Sequence, residues 1–358
     1  MRKLATIRRI DSLTPIEGAD KIELATVGGW KVVAQKGLYN EGDLAVYFEI
    51  DSWIPSTVAP FLTKPGHFPK VFEGVEGERL KTIKLRGQLS QGLLMPIAEI
   101  EKMGPEHDAG FQCEVRIEED FDMTEALGIK KWEKAIPAQL AGVCKGNFPS
   151  LIPKTDQERC QNLKKEINGA VESCAKFEVT EKLEGSSMTV YLMTNEDGTQ
   201  EFGVCSRNLN LKETEGNAFW ATARAEDIEE KMRKVLSYTA IEDFAIQGEL
   251  IGPGVQGNIY KLEKLEFRVF DVYNINQGRY LNPGERQHLI SFMGMNHVPV
   301  INPSCSFEGI DGVETLLVFA EGESALRAKQ EREGLVFKEV NGGMTFKAIS
   351  NKYLLGEK

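Results

Sequence analysis

Lys182 stands two residues before Glu184 and three before Gly185, within Thr180-Glu181-Lys182-Leu183-Glu184-Gly185-Ser186-Ser187. The segment closes an apolar, strand-like run that carries Phe177 and Val179. A lysine amine attacks phosphorus only when it is deprotonated and held beside a bound nucleotide. A glycine just beyond it lets the backbone turn and come close to phosphate. Alone, K-x-E-G would arise by chance in many proteins; its weight comes from the segments that follow it in order.

Arg207 closes the apolar run Phe202–Cys205 and suits a bidentate grip on phosphate or ribose, although a surface arginine capping a strand is the plainer reading. Glu249 is flanked by apolar residues in Ile246-Gln247-Gly248-Glu249-Leu250, and a buried carboxylate needs a partner, which a ribose hydroxyl or a metal would supply. In Phe267-Arg268-Val269-Phe270-Asp271-Val272 strict alternation puts Phe267, Val269 and Asp271 on one face and Arg268, Phe270 and Val272 on the other. One of the phenylalanines is placed to stack on a purine. Glu333, at the start of Gly334-Leu335-Val336-Phe337-Lys338, is suited to hold a divalent cation through water. Lys338, Lys347 and Lys352 can contact phosphates.

The elements that must position these residues are legible in outline. Short apolar or alternating runs at 4–7, 22–27, 30–34 and 44–48, separated by Gly28-Gly29, Gly37, Asn40 and Gly42, predict a small β-barrel over residues 1–115, of which the oligonucleotide-binding (OB) barrel is one form. The alternation in Arg79-Leu80-Lys81-Thr82-Ile83-Lys84-Leu85-Arg86 would set Arg79, Lys81 and Arg86 along one strand edge, either as a guard against aggregation or as a phosphate-contacting face. Residues 116–170, with an acidic patch at Glu118-Glu119-Asp120 and Pro137, Pro149 and Pro153, predict a linker with short helices. From 171 to 358 strands (177–180, 188–193, 202–206, 244–250, 267–272, 335–340, 345–349) alternate with helices (221–236, 283–293, 313–319), the pattern of an α+β domain.

The 358 residues, 41% hydrophobic and 27% charged, are ordinary for a globular protein. No apolar run reaches the roughly 20 residues of a membrane helix, and the N-terminus lacks a secretory core. Six scattered cysteines without a C-x-x-C pair read as free thiols in a reducing intracellular compartment, such as the cytoplasm. A net charge of -11 argues against coating nucleic acid by bulk electrostatics and leaves room for a local basic groove.

Together, Lys182-Leu183-Glu184-Gly185, Ser206-Arg207-Asn208, Gly248-Glu249-Leu250, Phe270-Asp271, Glu333-Gly334-Leu335-Val336-Phe337-Lys338 and Phe346-Lys347 resemble the ordered motif series of the covalent nucleotidyltransferases, the ligases and mRNA capping enzymes. Capping enzymes and DNA ligases of that superfamily carry a barrel after the last lysine motif, whereas here the barrel-like segment comes first. Ile16-Glu17-Gly18-Ala19-Asp20-Lys21, Phe48-Glu49-Ile50-Asp51-Ser52 and Leu85-Arg86-Gly87-Gln88-Leu89-Ser90-Gln91-Gly92 are similar to the N-terminal barrel of the Deinococcus/Naegleria-type ATP-dependent RNA ligases.

That resemblance implies an OB-like barrel followed by an adenylyltransferase domain of antiparallel sheets with flanking helices. It implies an ATP-dependent RNA ligase that joins 3′-hydroxyl and 5′-phosphate ends, nicked duplexes included, through lysyl-AMP and RNA-adenylate. The alternatives are a ligase acting on DNA, an end-activating adenylyltransferase, and a binding module with a dead catalytic domain. By the resemblance, Lys182 becomes AMP-linked, Arg207 and Glu249 hold ribose, Phe270 stacks on adenine, and Glu333 helps organise Mg²⁺ or Mn²⁺. Lys347 contacts the α-phosphate, Lys338 or Lys352 is expected to stand in for a second phosphate lysine, and Glu181 is counted with the nucleotide-binding residues. Glu184 replaces the usual aspartate and is expected to reach a metal-bound water. Thr345 takes the place of a second lysine found in some RNA ligases. No membrane and no obligate protein partner are expected.

Overall fold

The computed structural model describes residues 3–102, 117–132, 142–195, 197–239 and 241–356. The chain divides into two compact units, Met1–Ala135 and Ile136–Lys358. The expected boundary at 115/116, and with it Cys113 and Pro137, lies outside the described residues.

The first unit is built almost wholly of antiparallel strands. Leu44–Phe48 lies between Ala5–Arg9 and Leu93–Pro96. Its near-continuous apolar character has a cause, because both of its faces are covered. Val46 and Phe48 join Ile7, Ile54 and Met95 in one core, while Ala45 and Tyr47 join Ala25, Val27, Trp30 and Val32 in another. The latter four come from the hairpin Ile22–Val27 and Trp30–Gln35, whose period of two sends alternate residues inward.

The stretch from Arg79 to Arg86 is not one strand. Val75–Arg79 ends at Arg79, and Ile83–Leu85 pairs back on Gln88–Ser90 through Arg86 and Gly87, both at positive φ (47° and 81°). Positive φ at both central residues makes a two-residue hairpin turn, and that turn overrides the run of alternation. Arg79, Lys81 and Arg86 therefore do not share an edge. Arg79 is bound to Asp51 at 2.5 Å and its guanidinium lies 3.9 Å from the Trp132 ring centre.

The second unit holds two large sheets. A seven-stranded antiparallel sheet runs in the order Cys144–Asn147, Leu209–Leu211, Gln200–Cys205, Ser186–Thr194, Phe244–Ile251, Glu266–Asn274, Arg279–Tyr280. A five-stranded sheet runs Glu158–Arg159, Thr345–Ile349, Gly334–Glu339, Lys176–Lys182, Val300–Ser306, with only its first pair parallel. Cys144–Asn147 and Glu158–Arg159, in the stretch expected as linker, are edge strands of these two sheets. Each sheet buries one face. Met188, Val190, Phe244, Ile246 and Phe267 pack under the helices Ala218–Ala225, Ile228–Tyr238 and Pro283–Met293. Phe177, Val179, Leu335, Phe337, Phe346 and Ala348 pack under Lys164–Glu172 and Val313–Ala320.

The helix expected over 221–236 is two helices. The break falls at Glu226 and Asp227, where Asp227 adopts φ 51° and the Glu226 carboxylate accepts from the Phe267 amide at 2.9 Å. A carboxylate needed at a strand edge interrupts an otherwise helical period. The five cysteines among the described residues are free thiols, and no helix among those residues is long and apolar enough to cross a membrane.

A buried ionic cluster joins the two sheets. Glu178, on Lys176–Lys182, accepts from Arg286 and Gln287 of the Pro283–Met293 helix. Arg286 Nη1 is 3.7 Å from Asp271 Oδ1, and Lys338 Nζ is 2.6 Å from the same oxygen. Arg286 Nε donates to His297 Nε2 at 3.0 Å, while His297 Nδ1 lies 2.7 Å from the Val298 carbonyl. Burial, then the Arg286 charge, hold the His297 pKa down to about 4, so the ring is neutral. Two cations thus face two carboxylates in a region almost closed to water, and removing one would strand another. Arg286→Met is expected to cost about 3–5 kcal/mol in urea unfolding. Arg224→Met, which breaks the exposed pairs with Glu213 and Glu229, should cost about 1 kcal/mol or less.

Candidate active site

Lys182 ends its strand, and the chain then crosses in three residues, Leu183–Gly185, to the start of Ser186–Thr194 in the other sheet. The crossing places Lys182 where the two sheets meet. Glycine at 185 is required for a reason other than a turn, since a Cβ there would lie 2.5 Å from the Leu250 carbonyl oxygen and 2.7 Å from Glu249 Cγ. The missing side chain is what lets the crossing lie against the Glu249 strand.

Period-two alternation in the five-stranded sheet sets its chemistry. With Phe177, Val179, Leu335, Phe337, Phe346 and Ala348 turned into the core, Glu178, Thr180, Lys182, Lys338 and Lys347 occupy the opposite face. Lys182 pairs with Gly334, so Glu333 falls beside it, and Lys182 Nζ donates to Glu333 Oε1 at 2.6 Å. Gly334 again permits close approach, because a Cβ would lie 2.2 Å from the Ala348 oxygen. Arg159 pairs in parallel with Lys347 and so shares its face. Sequence reasoning did not pick out Arg159, because a two-residue strand has no period to read.

The seven-stranded sheet contributes the other wall. Glu249 is pushed up to about 8 by desolvation, with Lys182 and Arg207 pulling the other way and Glu333 adding to the rise. Arg207, half-exposed in the turn after Gln200–Cys205, is bound to Asp156 at 2.7 Å. Phe270 reaches this wall through a β-bulge. Gln247 pairs with Asp271 and Gly248 with Val269, leaving Phe270 as the extra residue. A bulge re-aims a side chain, and the Phe270 ring packs with the cluster of Leu183, Tyr260 and Val298 at the crossing. The bulge also corrects the expected faces. It shifts the phase of alternation, so Val272 joins Phe267 and Val269 in the core, while Asp271 belongs to the ionic cluster.

Three expected site residues stand elsewhere. Glu181 alternates to the core side of its strand, where its buried carboxylate accepts from Ser324 Oγ at 2.5 Å and from the Ala325 amide at 2.8 Å. Burial holds its pKa above the ordinary value, and its side chain is tied to that turn. Lys338 is buried against Asp271 instead of facing an open cleft. Lys352, exposed on the Asn351–Leu355 helix, is 3.0 Å from Glu321.

Glu184 lies among tyrosines. Its amide donates to Tyr260 Oη at 2.7 Å, and its carboxylate meets the Tyr353 hydroxyl, with Glu333 also close to both phenols. Burial, the largest cause, holds both tyrosines above their ordinary pKa. Among the described residues no three His, Cys, Asp or Glu side chains stand close enough to chelate a metal directly. Glu249, Glu333 and Glu184 nevertheless make the cleft rich in carboxylate. Burial is the main cause of the rise at Glu249 and Glu333 adds to it, and a group of carboxylates of this kind suits a hard dication bound largely through water.

An OB-fold domain family matches residues 4–97, and the RNA ligase family matches residues 175–353. Among solved structures, the chain is similar to Naegleria gruberi RNA ligase with PPi at 41% identity, covering 100% of this chain and 99% of that one, with a TM-score of 0.82. Mutant forms of the same enzyme, one with AMP and Mn and one with ATP and Mn, match at 41% identity over 99% of each chain, both with a TM-score of 0.83. No curated protein matches the chain.

The shift at Glu249 has a sign that can be measured. An unfolded glutamate titrates near about 4.3 and this one near about 8. Between those values the folded chain keeps a proton that the unfolded chain has lost, so stability drains as pH rises. Glu249→Gln removes the effect. The melting temperatures of variant and parent should converge in acid and separate in favour of the variant up to about pH 8. A gap independent of pH would contradict the assignment.

Proposed function

This chain belongs to the RNA ligase family, and we propose that it is an ATP-dependent RNA ligase joining 3′-hydroxyl and 5′-phosphate ends with Lys182 as its nucleophile. The observation that carries this reading is Lys182 Nζ held 2.6 Å from Glu333 at the crossing between the sheets, with Glu249, Arg207 and Phe270 on the facing wall.

In the first step the neutral amine of Lys182 forms a bond to the α-phosphorus of ATP, the bond to the departing pyrophosphate breaks, and the nitrogen loses a proton to solvent. Glu333 Oε1, the acceptor for Nζ, is placed to hold the amine's proton beforehand. Phe270 stacks on adenine, Glu249 and Arg207 hold the ribose, and Lys347 contacts the α-phosphate from the face it shares with Lys182. A divalent cation, Mn²⁺ or Mg²⁺, held through water by Glu333 and Glu184, would supply positive charge that favours the neutral amine and offsets phosphate charge.

In the second step an oxygen of the RNA 5′-phosphate attacks the lysyl-AMP phosphorus, and the amine leaves with a proton. In the third the 3′-hydroxyl attacks the activated 5′-phosphorus, its proton is lost, and AMP departs. The first unit, Met1–Ala135, would grip RNA beside the break, and the second, Ile136–Lys358, would carry out the adenylyl transfer. Free thiols at Cys144, Cys160, Cys174, Cys205 and Cys305 support work in a reducing intracellular compartment.

Lys182→Met should abolish labelling by ATP radioactive at the α-phosphate yet still seal pre-adenylylated RNA, because the last step does not use the amine as nucleophile. Labelling that survives the substitution would move the nucleophile to another lysine. With the parent enzyme, EDTA should suppress labelling and added Mn²⁺ or Mg²⁺ restore it. Nick sealing with ribose or deoxyribose on each side of the break would separate RNA from DNA ligation.

A further inference from the structure

We propose that Lys338 is a positioning residue for base recognition: its ammonium ties down the bulged backbone that aims the Phe270 ring at the nucleotide. The inference rests on the reading of Phe270 as the adenine platform and assigns to a different residue the task of keeping that platform in place.

The bulge creates a need. Because Gln247 pairs with Asp271 and Gly248 with Val269, Phe270 has no partner of its own in that ladder. An unpaired carbonyl in a buried region requires a donor from elsewhere. Lys338 supplies it from the opposite sheet, with Nζ 2.5 Å from the Phe270 oxygen and 2.6 Å from Asp271 Oδ1. The same nitrogen lies 5.6 Å from the centre of the Phe270 ring, within reach of its π face. One ammonium therefore touches the carbonyl, the ring and the next side chain of a single two-residue bulge.

Three circumstances fix the ammonium there. Lys338 sits in mid-strand, paired with Glu178 on one side and Thr345 on the other, so its root cannot shift. Its side chain is 6% exposed, which leaves little surface for a phosphate. Asp271 is in turn held by Arg286, and Arg286 by Glu178 and His297, so the counter-charge is itself anchored. Desolvation lowers the Lys338 pKa to about 8 and Asp271 opposes that fall. The position thus trades some ammonium stability for a rigid contact.

The test is autoadenylylation by Lys338→Met, Phe270→Ala and the double variant. Each is assayed with ATP and with ribose 5-triphosphate, which has no base to stack. Lys338→Met should raise KM for ATP by about tenfold or more, the scale of one lost stacking contact, with kcat nearly unchanged and little effect on ribose 5-triphosphate. In the Phe270→Ala background the same substitution should add almost nothing. If Lys338→Met impairs both substrates equally, or if its loss adds fully to that of Phe270→Ala, Lys338 does not act through the ring and the proposal falls. If Phe270→Ala leaves KM for ATP unchanged, the platform reading itself fails, a distinguishable result. Should Lys338→Met not fold, Lys338→Met/Asp271→Asn removes both buried charges together and is read by the same criteria.

Discussion

One crossing of three residues, Leu183–Gly185, fixes the geometry of the candidate site. The strand that ends at Lys182 belongs to one sheet and the strand that begins at Ser186 to the other, so the amine is held where the sheets converge. Gly185 and Gly334 let backbone approach backbone where a Cβ would collide. Each sheet commits one face to its own helices, and residues on the remaining faces are left to do chemistry. Because alternation is strict, choosing Phe177 and Val179 for the core also chooses Lys182 for the cleft.

The bulge at Phe270 is the complementary device on the other wall. An uninterrupted strand would have kept Phe270 in step with its neighbours. The extra residue puts its ring against the crossing and hands Asp271 to the buried ions behind it. Phe270, Lys338, Asp271 and the clamp at Arg286 are consequently parts of one connected structure that joins the two sheets.

Much of this was legible in the sequence. Apolar or alternating runs marked the strands at 22–27, 44–48 and 345–349, and helical spacing marked the helix at 283–293. Lys182, Glu249, Phe270, Glu333, Arg207 and Lys347 were picked out by residue type and order, and they lie on or beside strands of the two sheets that the Leu183–Gly185 crossing connects. What escaped depends on partners distant in sequence. The bulge is a mismatch between two strands and leaves no mark in either alone. Glu181 and Lys182 are adjacent, yet the pleat sends one into the core side and the other into the cleft. Arg159 lies on a strand too short to have a period. The Arg86-Gly87 turn did leave a signal, the glycine, which the surrounding alternation of charge obscured.

Two lysines on the same sheet face show how burial divides labour between identical side chains. Lys182 and Glu333 retain 27% and 17% of their side-chain exposure. An ion pair so placed contributes on the order of 1 kcal/mol or less, so breaking it to free the amine adds little to the barrier for attack. Lys338 and Asp271 retain 6% and 9%, and separating a pair at that depth costs about 3–5 kcal/mol. On the roles proposed here, Lys182 must be able to leave its partner within each turnover, whereas Lys338 must not. The sheet meets both demands by ending one strand at the cleft, where Lys182 reaches solvent, and burying the middle of its neighbour, where Lys338 does not.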